Sequence, residues 1–350
     1  GTIEYGYPHG HIGHLTPEEE ASFAEFKTLL TSKGLYKPGP PPSHDDTVLL
    51  RFLRARRWVV ADAHKQFKDT EDWRAAIQLD VLYDTIDVDA YEQSRRLYPQ
   101  WTGRRDRRGI PIYLFEIRHL DPKTVSAYEK SVASTYSRAA HDGKTPAKLI
   151  RLFALYENLT RFAQPLCTQL TDREHARTPI TLSTNIVDVS GVSLRGYWNL
   201  KGHMQAASEL ATAHYPETLD RIFIIGAPIF FTTVWGWIKR WFDPVTVSKI
   251  FVLSHSEVLP TLTSFIDIEN IPKQYGGKLD FNWCEMPNLD PKIKELATWE
   301  NGYTEFPKGP VYWVPIDGGK RLECIARGSV NKQQRNERVC TIPAAFADGE

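Results

Sequence analysis

Between Phe242 and Ile250 the chain reads Phe-Asp-Pro-Val-Thr-Val-Ser-Lys-Ile, a spacing suited to holding an anion. Asp243 suits an N-cap and Pro244 the first helical position. Thr246 then falls in the first turn, beside backbone N–H groups that lack a helical partner, and Lys249 follows three residues later on the same face. Free amides, the positive end of a helix dipole, a hydroxyl and an ammonium together favour a phosphate. The same residues also suit a plain capped helix with a solvated lysine.

Directly upstream, Pro228 to Phe242 concentrates aromatic side chains. At about 100° per residue, Phe230, Phe231, Val234, Trp235, Trp237, Ile238, Trp241 and Phe242 fill an arc of roughly 160°, and Thr232, Thr233, Gly236, Lys239 and Arg240 take the rest. A core-facing helix fits that pattern. So does an interfacial helix, whose aromatics enter the headgroup boundary while its basic residues meet anionic lipid.

Strands and helices must carry these groups. Ile112 to Ile117, Thr181 to Val189 and Arg221 to Ile225 are β-rich runs. Between the last two, Leu194 to His214 repeats apolar residues at Tyr197, Leu200, Met204, Ala207 and Ala211, so strand, helix, strand predicts a parallel βαβ unit. The first 90 residues read as helical. One helix spans 16 to 35, with Thr16 as cap, Pro17 first, Glu18 to Glu20 in the first turn and Gly34 closing it. A second is opened by a capping box of Ser43 and Asp46, and a third is capped by Asp62 and runs to Arg74. The tail from 290 to 350 carries short β-like pieces such as Val311 to Pro315 and is placed only as an extension.

Composition narrows the chemistry. Of 350 residues, 43 are Lys or Arg and 43 are Asp or Glu, so no global field gathers nucleic acid and any anion site is local. The turn after Asp188-Val189 lacks G-x-G-x-x-G, and neither a phosphate loop nor a G-x-S-x-G elbow occurs, so no nucleophile is nominated and no enzyme is expected. Cys167, Cys284, Cys324 and Cys340 form no C-x-x-C pair, which predicts free thiols in a reducing compartment and no zinc site. The uncharged run between Arg221 and Lys239 is broken by Gly226, Pro228 and Gly236, too short and interrupted to span a bilayer. Gly1 to His14 lacks the apolar core of a signal peptide. A soluble protein is expected, and its 12% aromatic content, ten tryptophans included, needs a use.

Four ordered motifs supply one. Leu50-Arg-Phe-Leu-Arg-Ala-Arg-Arg57, Tyr215-Pro-Glu217, Phe242 to Ile250 and Asn270-Ile-Pro-Lys-Gln-Tyr-Gly-Gly277 resemble the CRAL-TRIO family, most closely its fungal phosphatidylinositol transfer proteins, from about residue 44 to 280. The resemblance implies an α/β fold in three parts. An N-terminal helical subdomain covers 1–90. A CRAL-TRIO α/β domain covers 91–285, with a mixed, mainly parallel sheet flooring a hydrophobic lipid pocket. A C-terminal extension covers 286–350. In the relatives an aromatic gate helix opens and closes the pocket; here it falls near 228–245, so Phe230, Phe231, Trp235, Ile238 and Trp241 are expected to form the gate and meet the membrane.

Carried over residue by residue, the phosphatidylinositol headgroup site falls on Arg56, Arg57, Glu217, Thr246 and Lys249, with Arg57 in the place of a lysine. A structural bridge from Arg56 or Arg57 to Glu217 is the alternative use. The second-lipid headgroup site falls on Tyr113, Ser183, Asn185 and Thr102, and strand alternation puts Ser183 and Asn185 on one face. Relatives carry Thr where Asn185 stands and Tyr where Thr102 stands. These departures weaken a phosphocholine contact and leave the second ligand open to a sterol or other hydrophobe. The function implied is non-enzymatic: binding phosphatidylinositol and exchanging it with a second lipid at membranes, or else carrying another small, sterol-like hydrophobe in the same pocket. No metal or cofactor is expected, the bound phospholipid being the ligand. The expected partners are phosphatidylinositol, a second lipid and, transiently, a membrane surface, with no nucleic acid. The expectation is a cytoplasmic monomer, peripherally associated with endomembranes.

Overall fold

The computed structural model describes residues 6–140, 142–242 and 244–347; Asp243, the expected N-cap, lies outside them. Helices α1 (Pro17–Ser32), α2 (Asp46–Ala55), α3 (Val60–Ala76), α4 (Leu79–Thr85) and α5 (Val88–Arg95) come first. At the start of α1, Thr16 Oγ1 accepts from the Glu19 N–H and the Glu19 carboxylate accepts from the Thr16 N–H, a closed capping box. The other two caps differ from expectation. Asp45, not Ser43, caps α2, because the Ser43 hydroxyl accepts from the Lys37 N–H and contacts the His44 ring across the proline-rich turn. Helix α3 already begins at Val60, so Asp62 lies inside its first turn, where a carboxylate still favours the helix dipole.

The main sheet has the order β1-β2-β3-β4-β5. Strands β1 (Gln100–Arg105) and β2 (Pro111–Glu116) form an antiparallel hairpin, and β3 (Ser183–Asp188), β4 (Leu219–Ile225) and β5 (Ile250–Leu253) add to it in parallel. Helices α6 (Pro122–Val132), α7 (Ala147–Asn158) and α8 (Gln164–Thr168) connect β2 to β3, and α9 (Leu194–His214) connects β3 to β4 as the βαβ pattern predicts. From β4 to β5 the chain runs through α10 (Phe231–Ile238) and α11 (Pro244–Ser248).

Register decides what each face does. Tyr113, Asn185 and Ile222 are neighbours across three strands, as are Phe115, Val187 and Ile224, and this face looks toward α9 and α10. Ile112, Leu114, Ile186 and Phe223 point the other way into a filled core with Leu262 of α12 (Val258–Phe265), Ile271 and Tyr275.

Two segments are shorter than the sequence suggests. The aromatic helix covers Phe231–Ile238 and tightens into a 3-10 turn over Lys239–Trp241, while Pro228 to Phe230 form a turn closed by the Phe231 N–H on the Pro228 carbonyl. The Pro244–Ser248 helix is barely more than one turn because β5 begins at Ile250, so little macrodipole accumulates there.

The extension is built into the fold. After α13 (Pro291–Leu296) come β6 (Thr298–Trp299), β7 (Val311–Ile316), β8 (Arg321–Ala326), the short pair β9 (Ser329–Val330) and β10 (Gln333–Gln334), and β11 (Glu337–Pro343). They give a four-stranded sheet, β6-β11-β8-β7, whose Val311, Cys324, Val339 and Ile342 share one core with Trp101, Tyr113, Phe162 and Leu166. The chain reaches it by crossing β1 closely: a Cβ on Gly103, whose φ is 92°, would stand 2.4 Å from the Asn288 carbonyl oxygen. Among the described residues no helix is long and apolar enough to cross a membrane.

Candidate functional site

A cavity of about 1130 Å³ lies between the open sheet face and the helices α9 and α10. Phe115, Val187, Ile222 and Ile224 floor it; Tyr197 and Met204 of α9, with Phe231, Trp235 and Ile238 of α10, roof it. Arg56, Arg57, Glu217, Thr246 and Lys249 all line the same space. Glu217 closely precedes β4 and Lys249 immediately precedes β5, so both stand at the N-terminal ends of parallel strands, where the end of α2 meets them. The fold thus brings together all five residues expected at the headgroup.

Local backbone explains how. Arg56 is the C-cap of α2, and Arg57 (φ 51°) and Trp58 (φ 66°) then take left-handed conformations that turn the chain. Glu217 (φ 59°) does the same after α9. Such backbone costs on the order of 1–3 kcal/mol per residue and persists where the surroundings enforce it.

The five are held differently. Arg56 Nε donates to Gln66 Oε1 at 2.6 Å, so Gln66 and not Glu217 engages it, and among the described residues no ion pair joins Glu217 to either arginine. Lys249 Nζ lies 3.9 Å from Asp220 Oδ1 and its side chain is mostly enclosed. Asp220 is buried and paired with Arg108, which also binds Asp106 at 3.0 Å.

The earlier arginines of the same motif serve the fold. Arg51 donates to the Gln164 side chain and to the Thr181 carbonyl at 3.3 Å. Arg54 donates to the Gly10 carbonyl at 2.9 Å and also lines the cavity; burial is the main cause that brings it down to about 10, against the opposing pull of Glu217 and Glu19. Beside it, His11 is buried with Nδ1 3.0 Å from the His9 carbonyl, an obligate acceptor, so Nδ1 donates and Nε2 accepts from the Thr181 hydroxyl at 2.8 Å. Burial first, then Arg54, pushes this imidazole down to about 2, so the ring is neutral.

The residues expected at the gate divide. Phe231, Trp235 and Ile238 face the cavity. Phe230 meets Tyr197 edge-on at 6.0 Å, and Trp241 is half-buried outside the cavity lining. Trp237 meets Trp198 of α9 edge-on at 5.4 Å, with Lys201 Nζ 5.1 Å from both rings.

Of the four residues expected at a second headgroup, Tyr113, Ser183 and Asn185 are neighbours on β2 and β3, and Thr102 stands apart. Asn185 lines the cavity; its amide donates to the Ser183 carbonyl at 3.3 Å and Oγ at 3.1 Å, and Ser183 in turn donates to the Thr218 carbonyl. Tyr113 lines a separate cavity of about 70 Å³ toward the C-terminal sheet, its hydroxyl buried without a hydrogen-bond partner among the described residues. Thr102 is fully buried elsewhere. Strand β1 pairs Trp101 with Tyr113, which turns Thr102 to the opposite side, where its hydroxyl accepts from the Arg104 N–H and its carbonyl from the Asn288 N–H.

Gln66, Arg54 and Asp220 were not singled out by sequence reasoning. A signal existed for Gln66: it shares the helical face of Ala63, Phe67 and Thr70, and a polar residue on a buried face needs partners.

Residues 95–277 match the CRAL/TRIO domain and residues 21–69 the CRAL/TRIO N-terminal domain, and the chain belongs to the CRAL/TRIO family. It is 29% identical to the SEC14 cytosolic factor of Eremothecium gossypii, over 86% of this chain and 88% of that protein. It is 31% identical to the SEC14 cytosolic factor of Yarrowia lipolytica, over 78% of this chain and 50% of that one. With the phosphatidylinositol/phosphatidylcholine transfer protein SFH7 of Arabidopsis thaliana it shares 30% identity over 73% of this chain and 45% of the other. The fold resembles the crystal structure of Sfh5 at a TM-score of 0.55 and 16% identity, covering 79% of this chain and 93% of that one.

Proposed function

We propose that this protein binds phosphatidylinositol in the 1130 Å³ cavity, with the inositol phosphate at Arg56, Arg57, Glu217, Thr246 and Lys249, and exchanges it with a second lipid at membranes without chemical conversion. The observation that carries the reading is the continuity of one space: a cationic pole opens into an apolar chamber larger than the roughly 300–1,000 Å³ usual for drug-sized ligands. A buried phosphate needs cations and donors, and acyl chains need apolar walls. The similarity to SEC14 cytosolic factors and to a phosphatidylinositol/phosphatidylcholine transfer protein supports the same ligand class. The gate is α10, whose Phe231, Trp235 and Ile238 cover the chamber.

For the second ligand, Thr102 is turned away from the chamber and Tyr113, next to Asn185, lines the smaller cavity, which favours a lipid other than phosphatidylcholine, such as a sterol-like hydrophobe that needs no phosphocholine cage. Native mass spectrometry of the purified protein tests both points. A phosphatidylinositol mass adduct is expected, and its absence, with another hydrophobe bound instead, leaves only the carrier reading.

A further inference from the structure

Gln66 lies on α3, outside the four short motifs quoted from the sequence, and it makes three hydrogen bonds from a site only 7% exposed. Its Nε2 donates to the Thr212 carbonyl at 3.1 Å and to the Ala213 carbonyl at 2.9 Å. Two carbonyls can only accept, so the amide orientation is fixed, and Oε1 must face Arg56 Nε at 2.6 Å. With Nε taken, the Arg56 Nη groups make no hydrogen bond to any described residue and remain for an anion at the cavity mouth.

The two carbonyls belong to the last turn of α9, where helical partners are lacking. Thr70, one turn along α3, donates to the Ala213 carbonyl as well, at 3.2 Å. From that tethered end the chain runs through Tyr215 and Pro216 to Glu217, whose left-handed backbone leaves little slack. One amide therefore ties together the helix that carries Arg56 and the helix end that leads to Glu217.

We propose that Gln66 is the positioning residue of the headgroup pole: it aims the Arg56 guanidinium at the phosphate and fixes its distance from Glu217, so that selectivity for an inositol phosphate depends on a side chain of the N-terminal helices. This rests on the phosphatidylinositol reading above.

The test is a double-mutant cycle. Gln66→Met keeps length and bulk and removes the hydrogen bonds. Uptake of phosphatidylinositol from vesicles, uptake of diacylglycerol with the same acyl chains, and the melting temperature are measured for the wild type, Gln66→Met, Arg56→Ala and the double variant. Gln66→Met is expected to weaken phosphatidylinositol uptake about tenfold, as for one hydrogen bond to a charged group, and to leave diacylglycerol uptake unchanged. In the Arg56→Ala background it should add nothing, because it acts through Arg56. Losses that multiply, an unchanged phosphatidylinositol uptake, or an equal loss for both lipids overturns the proposal. If Gln66→Met proves unstable, Gln66→Glu supplies the second arm: its carboxylate still engages Arg56 but competes with phosphate, so phosphatidylinositol uptake falls, and unchanged uptake overturns the proposal. A wild type that takes up no phosphatidylinositol overturns this proposal and the functional reading together, whereas equal uptake by wild type and Gln66→Met removes only the role of Gln66.

Discussion

Lys249 Nζ stands 3.9 Å from Oδ1 of Asp220, a buried carboxylate that shares the Arg108 guanidinium with Asp106. The ammonium is thus drawn to the cavity wall without being locked into a tight bridge. Lys249→Ala is expected to weaken phosphatidylinositol binding by about 1.5–3 kcal/mol, the range for a hydrogen bond to a charged group, without unfolding the protein. Asp220→Asn is expected to do the reverse: Arg108 keeps Asp106, but a buried charge-assisted hydrogen bond is lost, at about 1.5–3 kcal/mol of stability. Lipid binding and urea melts on the two variants check this, and a Lys249→Ala protein that binds phosphatidylinositol normally removes Lys249 from the site.

The second headgroup position gives a contrast. Thr102 is fully buried under the Asn288 backbone, so Thr102→Tyr overpacks that crossing and is expected to cost roughly 1–3 kcal/mol while leaving lipid selectivity alone. Asn185→Thr, in the cavity wall, is expected to change the profile of bound lipids. Lipid extraction and mass spectrometry on both variants decide it; a shift toward phosphatidylcholine with Thr102→Tyr would contradict this geometry.

The proposed gate can be probed at Gly236, where an added Cβ would meet no described residue within 4 Å. Gly236→Ala is expected to stabilise α10 by about 1 kcal/mol and, if α10 bends there to open, to slow transfer. Hydrogen exchange over residues 228–245 with and without liposomes reads the opening directly. Identical exchange in both conditions while transfer proceeds would make α10 a static roof.

Acid should loosen the fold. His11 and His214 are pushed down to about 2 and about 4, in both cases mainly by burial. Below the ordinary value near 6.5 the unfolded chain takes up protons that these folded rings refuse, so stability falls as pH drops and the loss grows down to each folded value. The melting temperature is expected to decline from pH 7 to pH 5, and less steeply in His11→Asn. A flat profile, or a slope that His11→Asn leaves unchanged, would contradict this.

Much of the site was legible because it sits in contiguous motifs. The Leu50 to Arg57 run, Glu217 and the Thr246 to Lys249 turn each lie at an element end that caps, proline or strand alternation mark. What escaped was set by tertiary register. That Trp101 rather than Thr102 opposes Tyr113 depends on how β1 pairs with β2, and no local pattern announces it. Strand β1 holds Gly103, a poor strand former, and two arginines outside the β-branched and aromatic set, and its conformation is fixed by β2 and by residues 288–290. Likewise the apolar alternation of β8 and β11 makes sense only once their shared core with Phe162 is seen.

Transfer of fluorescent phosphatidylinositol from donor to acceptor liposomes bears most directly on the central claim. Wild-type protein is expected to carry it, with Lys249→Ala strongly impaired and Thr102→Ser unaffected. Wild-type protein that moves no phosphatidylinositol, or a Lys249→Ala protein that moves it as fast as the wild type, would contradict the assignment of the cation-lined pole to an inositol phosphate.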